Sequence, residues 1–175
     1  SLKKLTRLVR YLVSLPRVIS KFQYQARQEK VDGYSDSDWA GCRTTAKSTT
    51  GGVMMMGLHL LKSWSRTQNS ITLSSAEAEL VAASKLAAEL LGMISLLRDW
   101  GIECAADLFV DSSAALGTVR RKGAGKARHI NIGLLWLQEQ EERGIIRFHK
   151  VHGLVNPADL FTKRLSRDRI KEWME

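Results

Sequence analysis

The chain contains little cysteine and no long apolar run. Its 175 residues include two cysteines, Cys42 and Cys104, without a Cys-x-x-Cys spacing. This excludes a disulfide framework and a cysteine-based metal site, and it favours a reducing compartment. No uninterrupted apolar stretch approaches the ~20 residues that a transmembrane helix needs. Because arginines interrupt each apolar stretch near residue 1, we expect no secretory signal there.

Several common catalytic motifs are also missing. The chain has no Gly-x-Ser-x-Gly elbow and no His-Glu-x-x-His pair. The segment GAGK at residues 123–126 lacks the leading glycine and the Ser/Thr of a phosphate-binding loop. The four histidines show no zinc-like pairing with the cysteines. These absences argue against a serine hydrolase, a zinc protease and a P-loop nucleotidase.

What the chain does contain is an uneven positive charge. Residues 1–30 hold eight Lys or Arg and one acid, so +7 of the net +9 lies there. A basic arm before a near-neutral body suggests a polyanion partner. The alternative is a solvated basic helix that remains from a larger protein. Because the chain opens without Met, we expect a fragment, with a domain boundary near residue 30.

Hydrophobic periodicity predicts a mixed α/β architecture. The expected elements are a helix at 2–14, an extended segment at 18–24, strands at 31–39, 53–56 and 60–64, a long helix from Ser74 to about 100, a strand at 106–110, helices at 113–121 and 132–143, a strand at 145–151 and a last helix capped by Asn156. Early antiparallel strands followed by strand–helix alternation favour one mixed sheet with helices packed on it.

Four carboxylates lie at positions where a structural residue is more often neutral. They are Asp36 in the first strand, Glu79 one turn into the long helix, Asp111 at a strand end and Asp159 in the last helix. Each has a simpler interpretation as a surface acid or helix cap, and Asp38 and Glu77 compete with Asp36 and Glu79. Taken together, four acids at element ends can converge on Mg²⁺ or Mn²⁺ and handle phosphoryl oxygens.

Other side chains suggest contacts with a polyanion. Five positive charges fall within nine residues beside the helix that follows Asp111: Arg120, Arg121, Lys122, Lys126 and Arg128. Ser74, Ser75 and Ser112 offer hydroxyls and helix-start amides to phosphate. The alternative for the basic cluster is a solvated loop. His152, between a strand and Asp159, is a further candidate, although most isolated histidines are structural or solvated.

Six sequence blocks resemble the ribonuclease H domain of copia-type LTR retrotransposon polyproteins, in the family's order and over roughly residues 31–165. They are YSDSDWAGC at 34–42, KSTTG at 47–51, LSSAEAE at 73–79, VDSSA at 110–114, RHI at 128–130 and NPADLFTK at 156–163. The basic helix at 2–14 is similar to the end of the reverse transcriptase region that precedes this domain. The resemblance therefore implies such a remnant at residues 1–30 and a ribonuclease H domain at 31–175.

The resemblance implies a ribonuclease H fold, which is a five-stranded mixed sheet with its first three strands antiparallel. It implies hydrolysis of the RNA strand of RNA–DNA hybrids with two Mg²⁺ ions, for which Mn²⁺ can substitute. The family's acids fall on Asp36, Glu79, Asp111 and Asp159, which favours Asp36 over Asp38 and Glu79 over Glu77. His152 lies where many ribonucleases H carry a mobile histidine that assists product release, although copia-type members often lack it.

The implied partners are an RNA–DNA hybrid and a covalently attached reverse transcriptase in a parent polyprotein, without a membrane. The implied location is the cytoplasm, within a retrotransposon particle, or the nucleus. Two alternatives remain open. One is a catalytically silent module that positions hybrid for an attached polymerase, and the other is a DNA-cutting nuclease of the same fold, such as an integrase or junction resolvase.

We expect the substitution Asp111→Asn to leave folding intact and to abolish Mg²⁺-dependent cleavage of a hybrid duplex, because an amide is a poorer ligand than a carboxylate for a hard cation. Circular dichroism checks the fold, and a labelled hybrid measures cleavage. Full activity in this variant would remove Asp111 from the site.

Overall fold

The computed structural model describes residues 2–17, 19–121 and 132–174, which form five strands, six α-helices and a short 3₁₀ helix. The strands are β1 (Lys30–Asp38), β2 (Thr49–Met56), β3 (His59–Thr67), β4 (Ala105–Val110) and β5 (Ile146–Lys150). The α-helices are α1 (Leu2–Ser14), α2 (Ser75–Asp99), α3 (Ser113–Arg120), α4 (Ile132–Glu142), α5 (Asp159–Thr162) and α6 (Arg167–Met174), and the 3₁₀ helix η1 is Gly153–Val155.

The strands form one sheet in the order β3-β2-β1-β4-β5. β1 pairs antiparallel with β2, and β2 pairs antiparallel with β3. β4 runs parallel to both β1 and β5. The prediction of a mixed five-stranded sheet with three antiparallel strands first is therefore confirmed. The parallel pair β1–β4 sets the carboxyl ends of both strands at the same edge of the sheet.

Helix α2 supplies much of the core. The Ser74 hydroxyl accepts a hydrogen bond from the Glu77 amide (3.2 Å) and caps the helix, and nine residues of α2 are buried. A Cβ at Gly33 of β1 would lie 2.8 Å from Leu90, so this glycine allows α2 to approach the sheet closely. By length and composition α2 could cross a membrane, but its buried residues pack against the sheet in the hydrophobic core.

The structure differs from the sequence-based prediction at β2 and at the C-terminus. Strand β2 begins at Thr49, four residues before the predicted start at residue 53, because residues 49–52 already pair with β1. Strand pairing overrides the low strand propensity of two glycines. The single predicted last helix is two short helices, α5 and α6. Residues 19–24, predicted as extended, belong to no strand or helix, and Val18 lies outside the described residues.

The N-terminal helix α1 forms as predicted, but none of its residues is buried. Its apolar side chains, such as Leu2 and Val13, are mostly exposed. The segment after it contacts the β2–β3 hairpin, since the Gln25 side chain donates to the Met56 carbonyl (2.8 Å) and accepts from the Leu58 amide (2.8 Å).

Asn156 and Gly51 fix α5 against the sheet. Asn156 is fully buried; its Nδ2 donates to the Ser35 carbonyl of β1 (3.0 Å) and its Oδ1 accepts from the Ala158 amide (3.1 Å). A Cβ at Gly51 would lie 2.8 Å from the Ala158 carbonyl oxygen and 2.8 Å from a methyl carbon of Thr162. The absence of a side chain at Gly51 therefore lets α5 lie over β1 and β2.

We expect Asn156→Ala to lower the free energy of unfolding by about 2–4 kcal/mol, because it leaves a buried carbonyl and a buried amide without their partner. Urea denaturation measures the change. Asn69→Ala, at an exposed asparagine, is the matched control and should stay within about 0.5 kcal/mol of wild type. Equal stabilities of the two variants would contradict the assigned role of Asn156.

Candidate active site

Three of the four predicted acids converge at the edge of the sheet where β1 and β4 end. Ser35 of β1 is the register partner of Val110 of β4, so Asp36 and Asp111 follow side by side on parallel strands. A carboxylate oxygen of Asp36, one of Glu79 and one of Asp111 all lie within 4.8 Å of one another. This is the edge of an α/β sheet at which ligands are commonly bound.

Glu79 reaches the cluster from the second turn of α2 and is only 6% exposed. Its Oε1 accepts hydrogen bonds from the amide (3.0 Å) and the hydroxyl (2.7 Å) of Ser37. Its Oε2 is buried and accepts no hydrogen bond from the described residues. Burial raises the pKa of Glu79 to about 8; the Ser37 hydroxyl opposes this shift, and the nearby Asp36 and Asp111 add to it. Glu79 is therefore poised between its neutral and charged forms near neutral pH.

Asp36 is 1% exposed and is held by the C-terminal end of α5. The Thr162 hydroxyl donates to Asp36 Oδ2, and the Lys163 ammonium donates to Asp36 Oδ1 (3.1 Å). A buried carboxylate is stable only with such donors or an opposite charge around it. The packing of α5 on the sheet thus supplies the partners of the most buried acid in the cluster.

Asp159 joins the other acids through Lys163. The Lys163 Nζ lies 2.8 Å from Asp159 Oδ1, 3.1 Å from Asp36 Oδ1 and 3.9 Å from Asp111 Oδ2. Burial alone would lower the pKa of Lys163, but the neighbouring Asp159 and Asp36 raise it overall, so the side chain stays protonated. Sequence reasoning missed Lys163 as a site residue, although its i,i+4 spacing from Asp159 was a usable signal.

The same electrostatic environment affects the two remaining acids. Burial raises the pKa of Asp111, the charge of Asp36 adds to the shift, and the positive charges of Lys163 and Lys150 oppose it. Burial also raises the pKa of Asp159, against the hydrogen bond from Lys163. The repulsion between these carboxylates favours a cation among them.

The competing acids lie elsewhere. The Glu77 carboxylate accepts from the Leu73 amide (2.6 Å) and completes the N-terminal cap of α2. The Asp38 carboxylate fills the space beside Gly41, where an added Cβ would lie 1.7 Å from Asp38 Oδ2. Both therefore have local structural roles, and neither belongs to the group of acids that could share an ion.

The donor set fits a hard divalent cation. Mg²⁺ and Mn²⁺ prefer carboxylate oxygens, and the cluster offers these from three residues on separate elements. Glu79 Oε2 is a buried acceptor with no donor among the described residues, which is the state expected of a metal ligand. The residues present therefore match the type of ion that the sequence predicted.

The predicted phosphate-binding residues have mixed surroundings. The hydroxyls of Ser74 and Ser112 cap α2 and α3, where Ser112 accepts from the Ala115 amide (3.1 Å). Ser75 is exposed at the start of α2. Arg120 donates to the Phe148 carbonyl (2.6 Å) and pairs with a glutamate of α4. The structure thus gives Ser74, Ser112 and Arg120 intramolecular contacts.

Some of the remaining predicted contact residues lie outside the described residues. Arg121 is exposed at the end of α3, whereas Lys122, Lys126 and Arg128 lie outside the described residues. His152 is exposed, and its Nδ1 accepts from the Leu154 amide (3.3 Å) at the start of η1. The next residue, Gly153, lies close to Asp111, since a Cβ there would be 3.5 Å from Asp111 Oδ2. His152 therefore lies on the rim of the acidic cluster.

Sequence comparison identifies relatives among transposon polyproteins. The chain is 29% identical over 169 residues to the Retrovirus-related Pol polyprotein from transposon RE1 of Arabidopsis thaliana, covering 95% of this chain and 12% of that protein. It is 26% identical over 141 residues to the Retrovirus-related Pol polyprotein from transposon TNT 1-94 of Nicotiana tabacum, covering 79% of this chain and 11% of that protein. The chain thus spans 11–12% of the length of these curated relatives. No protein-family model matches it.

Solved structures show the same fold. LC11-RNase H1, isolated from compost, matches with a TM-score of 0.61 at 15% identity, over 85% of this chain and 100% of that one. The N-terminal RNase H domain of Rv2228c from Mycobacterium tuberculosis matches with a TM-score of 0.55 at 14% identity, over 83% of this chain and 96% of that one. The structure of LC11-RNase H1 in complex with an RNA/DNA hybrid matches with a TM-score of 0.53 at 15% identity, over 75% of this chain and 93% of that one. The chain is therefore similar in sequence to the Pol polyproteins of plant transposons over most of its length, and its fold is the ribonuclease H fold.

Proposed function

We propose that this chain is a metal-dependent endonuclease that hydrolyses the RNA strand of RNA–DNA hybrids during retrotransposon reverse transcription. The observation that carries the proposal is the convergence of Asp36, Glu79 and Asp111 within 4.8 Å at the edge of a ribonuclease H fold. The sequence relationship to Pol polyproteins and the hybrid bound by LC11-RNase H1 support this substrate.

In the proposed site, Asp36 and Asp111 contribute most to the binding of two Mg²⁺ ions, or Mn²⁺ in their place. Glu79 completes one ion site, and Asp159 contributes to the other. When bound, such ions lower the pKa of an attacking water and stabilise the leaving oxygen of a phosphodiester. Ser37 orients Glu79 through two hydrogen bonds to Oε1, which leaves Oε2 as the oxygen that would ligate an ion. Hydrogen bonds to a metal-binding side chain commonly tune the affinity for the metal.

The proposed substrate contacts surround this cluster. Arg121 and the basic residues Lys122, Lys126 and Arg128 would contact phosphates, and His152 on the rim of the cluster would assist product release. Selectivity for the hybrid would come from its 2′-hydroxyls and groove shape, so cleavage depends only weakly on sequence.

We also propose a place for the domain within a larger polyprotein. Residues 31–175 would form a ribonuclease H domain of copia type, and residues 1–30 would be the end of a reverse transcriptase region in the same polyprotein. The exposed apolar side chains of α1 agree with a helix whose neighbours belong to that region.

The proposal predicts cleavage of a hybrid with Mg²⁺ or Mn²⁺ and none with EDTA. Substrates labelled separately on the RNA and the DNA strand measure which strand is cut. Cleavage of the DNA strand would favour the DNA-nuclease alternative. Salt-dependent binding without metal-dependent cleavage would favour the silent binding module.

A matched pair of variants tests the choice of acid in β1. We expect Asp36→Asn to lower hybrid cleavage by more than about 100-fold, because even outer contacts to a metal ligand cost 10–100-fold. Asp38→Asn, the same change two residues later, should retain cleavage. Circular dichroism checks that both variants fold. The opposite pattern would move the proposed ligand from Asp36 to Asp38.

The raised pKa of Glu79 predicts a pH dependence of stability. An unfolded glutamate titrates near 4.5, whereas Glu79 in the folded, metal-free protein titrates at about 8. Between these values the folded state binds the extra proton, so the free energy of unfolding falls as pH rises, by up to about 1.4 kcal/mol per pH unit. Glu79→Gln removes this contribution and flattens the dependence. Urea unfolding in EDTA between pH ~5 and ~8 measures it.

Glu77→Gln, which removes a carboxyl outside the cluster, is the control for this experiment. It should leave the pH dependence as steep as in wild type. A Glu79→Gln variant with the full wild-type slope would show that the Glu79 proton does not govern stability in this range.

A further inference from the structure

The Lys163 ammonium lies among the carboxylates of the acidic cluster, which is formed by Asp36, Glu79, Asp111 and Asp159. Its ammonium lies within 3.1 Å of Asp36 and Asp159 and 3.9 Å from Asp111. These are three of the four acids that the proposed function assigns to metal binding. The ammonium therefore faces carboxylates that the proposed function assigns to a divalent cation.

A metal ion and the ammonium are not compatible at this place. Each is a cation, and their repulsion in a partly buried site is poorly screened. Both oxygens of Asp36 accept hydrogen bonds, Oδ2 from the neutral Thr162 hydroxyl and Oδ1 from the charged Lys163 ammonium, so Lys163 is the donor whose charge would oppose an ion. Binding of a metal to Asp36 and Asp159 thus requires the ammonium to leave.

The Lys163 side chain is able to leave. It is 41% exposed, whereas the side chains of Asp36 and Asp159 are 2% and 14% exposed. Lys163 directly follows the last turn of α5, and its flexible aliphatic stem allows the ammonium to reach solvent without a change in the helix. Thr162 and Asp159 are part of α5 and do not have this freedom.

We propose that Lys163 is a built-in counter-ion that neutralises the acidic cluster in the metal-free protein and is displaced when a divalent ion binds. The inference rests on the proposed function of the cluster and adds a residue that sets its metal affinity. Lys163 then has two opposite effects. It stabilises the protein without metal, and it weakens the binding of metal by competition.

The expected change in metal affinity depends on the fraction of metal-free molecules in which the ammonium occupies the cluster. If the ammonium occupies the cluster in about 90% of metal-free molecules, only about 10% are free to bind, and the apparent Kd is about tenfold weaker than the intrinsic value. Lys163→Met removes the charge and keeps the aliphatic stem. We expect this variant to bind Mn²⁺ about tenfold more tightly than wild type.

The experiment measures Mn²⁺ binding by electron paramagnetic resonance and thermal unfolding in EDTA for each purified variant. Lys163→Met should tighten Mn²⁺ binding and lower the Tm in EDTA by roughly 3–6 °C. Lys163→Arg retains a cation and should stay closer to wild type in Mn²⁺ affinity. Lys150→Met is the matched control, because Lys150 donates to the backbone carbonyl of Asp111 and to no carboxylate of the cluster.

The outcomes separate the two proposals. If wild type binds no Mn²⁺, the proposed metal site itself fails. If wild type binds Mn²⁺ and Lys163→Met binds it equally or more weakly, the displacement is wrong and the metal site stands. Equal tightening by Lys150→Met would assign the effect to the general field of nearby positive charge and also overturn the displacement.

A measurement on the wild-type protein covers the case in which Lys163→Met does not fold. Acetylation of lysines with an N-hydroxysuccinimide ester, followed by mass spectrometry, reports how accessible each amine is. Lys163 should react slowly in EDTA and several times faster with saturating Mg²⁺, relative to the exposed Lys4 of α1. A rate that is unchanged by Mg²⁺ would contradict displacement.

Discussion

The constraint on which the site depends is mutual repulsion between carboxylates that are held out of water. Asp36 is 1% exposed and Glu79 is 6% exposed, and both face Asp111. Such a group of charges is unfavourable unless protons, hydrogen-bond donors or cations compensate it. All three are present in the structure, as the raised pKa of Glu79, the donors of Ser37 and Thr162, and the ammonium of Lys163.

The rest of the fold supplies the free energy that holds this arrangement together. Nine residues of helix α2 are buried, and the close approach at Gly33 sets the distance between the helix and β1. Because Glu79 is part of the same rigid helix, core packing two or three turns away determines where its carboxylate lies. A stable core thus offsets an unfavourable site, as is common in proteins whose functional residues are electrostatically opposed.

Sequence reasoning found what local patterns encode. The Ser74 cap, the apolar face of α2 and the strand end before Asp111 predicted where the acids lie along the elements, and their places at element ends suggested that they could converge. The residues alone left open whether Asp36 or Asp38 belongs to the site, because the two are two positions apart on the same strand. The family resemblance favoured Asp36. The contacts of Asn156 with Ser35 and of Lys163 with Asp36 were not predicted, because these partners are 121 and 127 positions away in sequence. No periodicity reports a contact of that kind.

Helix α5 is where folding and the proposed metal binding would be coupled. This four-residue helix carries Asp159 and Thr162 and is followed by Lys163, yet it is too short to be stable alone. It is held to the sheet by Asn156, by the space at Gly51 and by a hydrogen bond from the Ser65 hydroxyl to the Phe161 carbonyl (2.6 Å). A cation shared by Asp159 and Asp36 adds a further link between α5 and β1. The Lys163 ammonium, or a metal ion bound in its place, would therefore stabilise the docked helix, and the docked helix in turn would complete the proposed site.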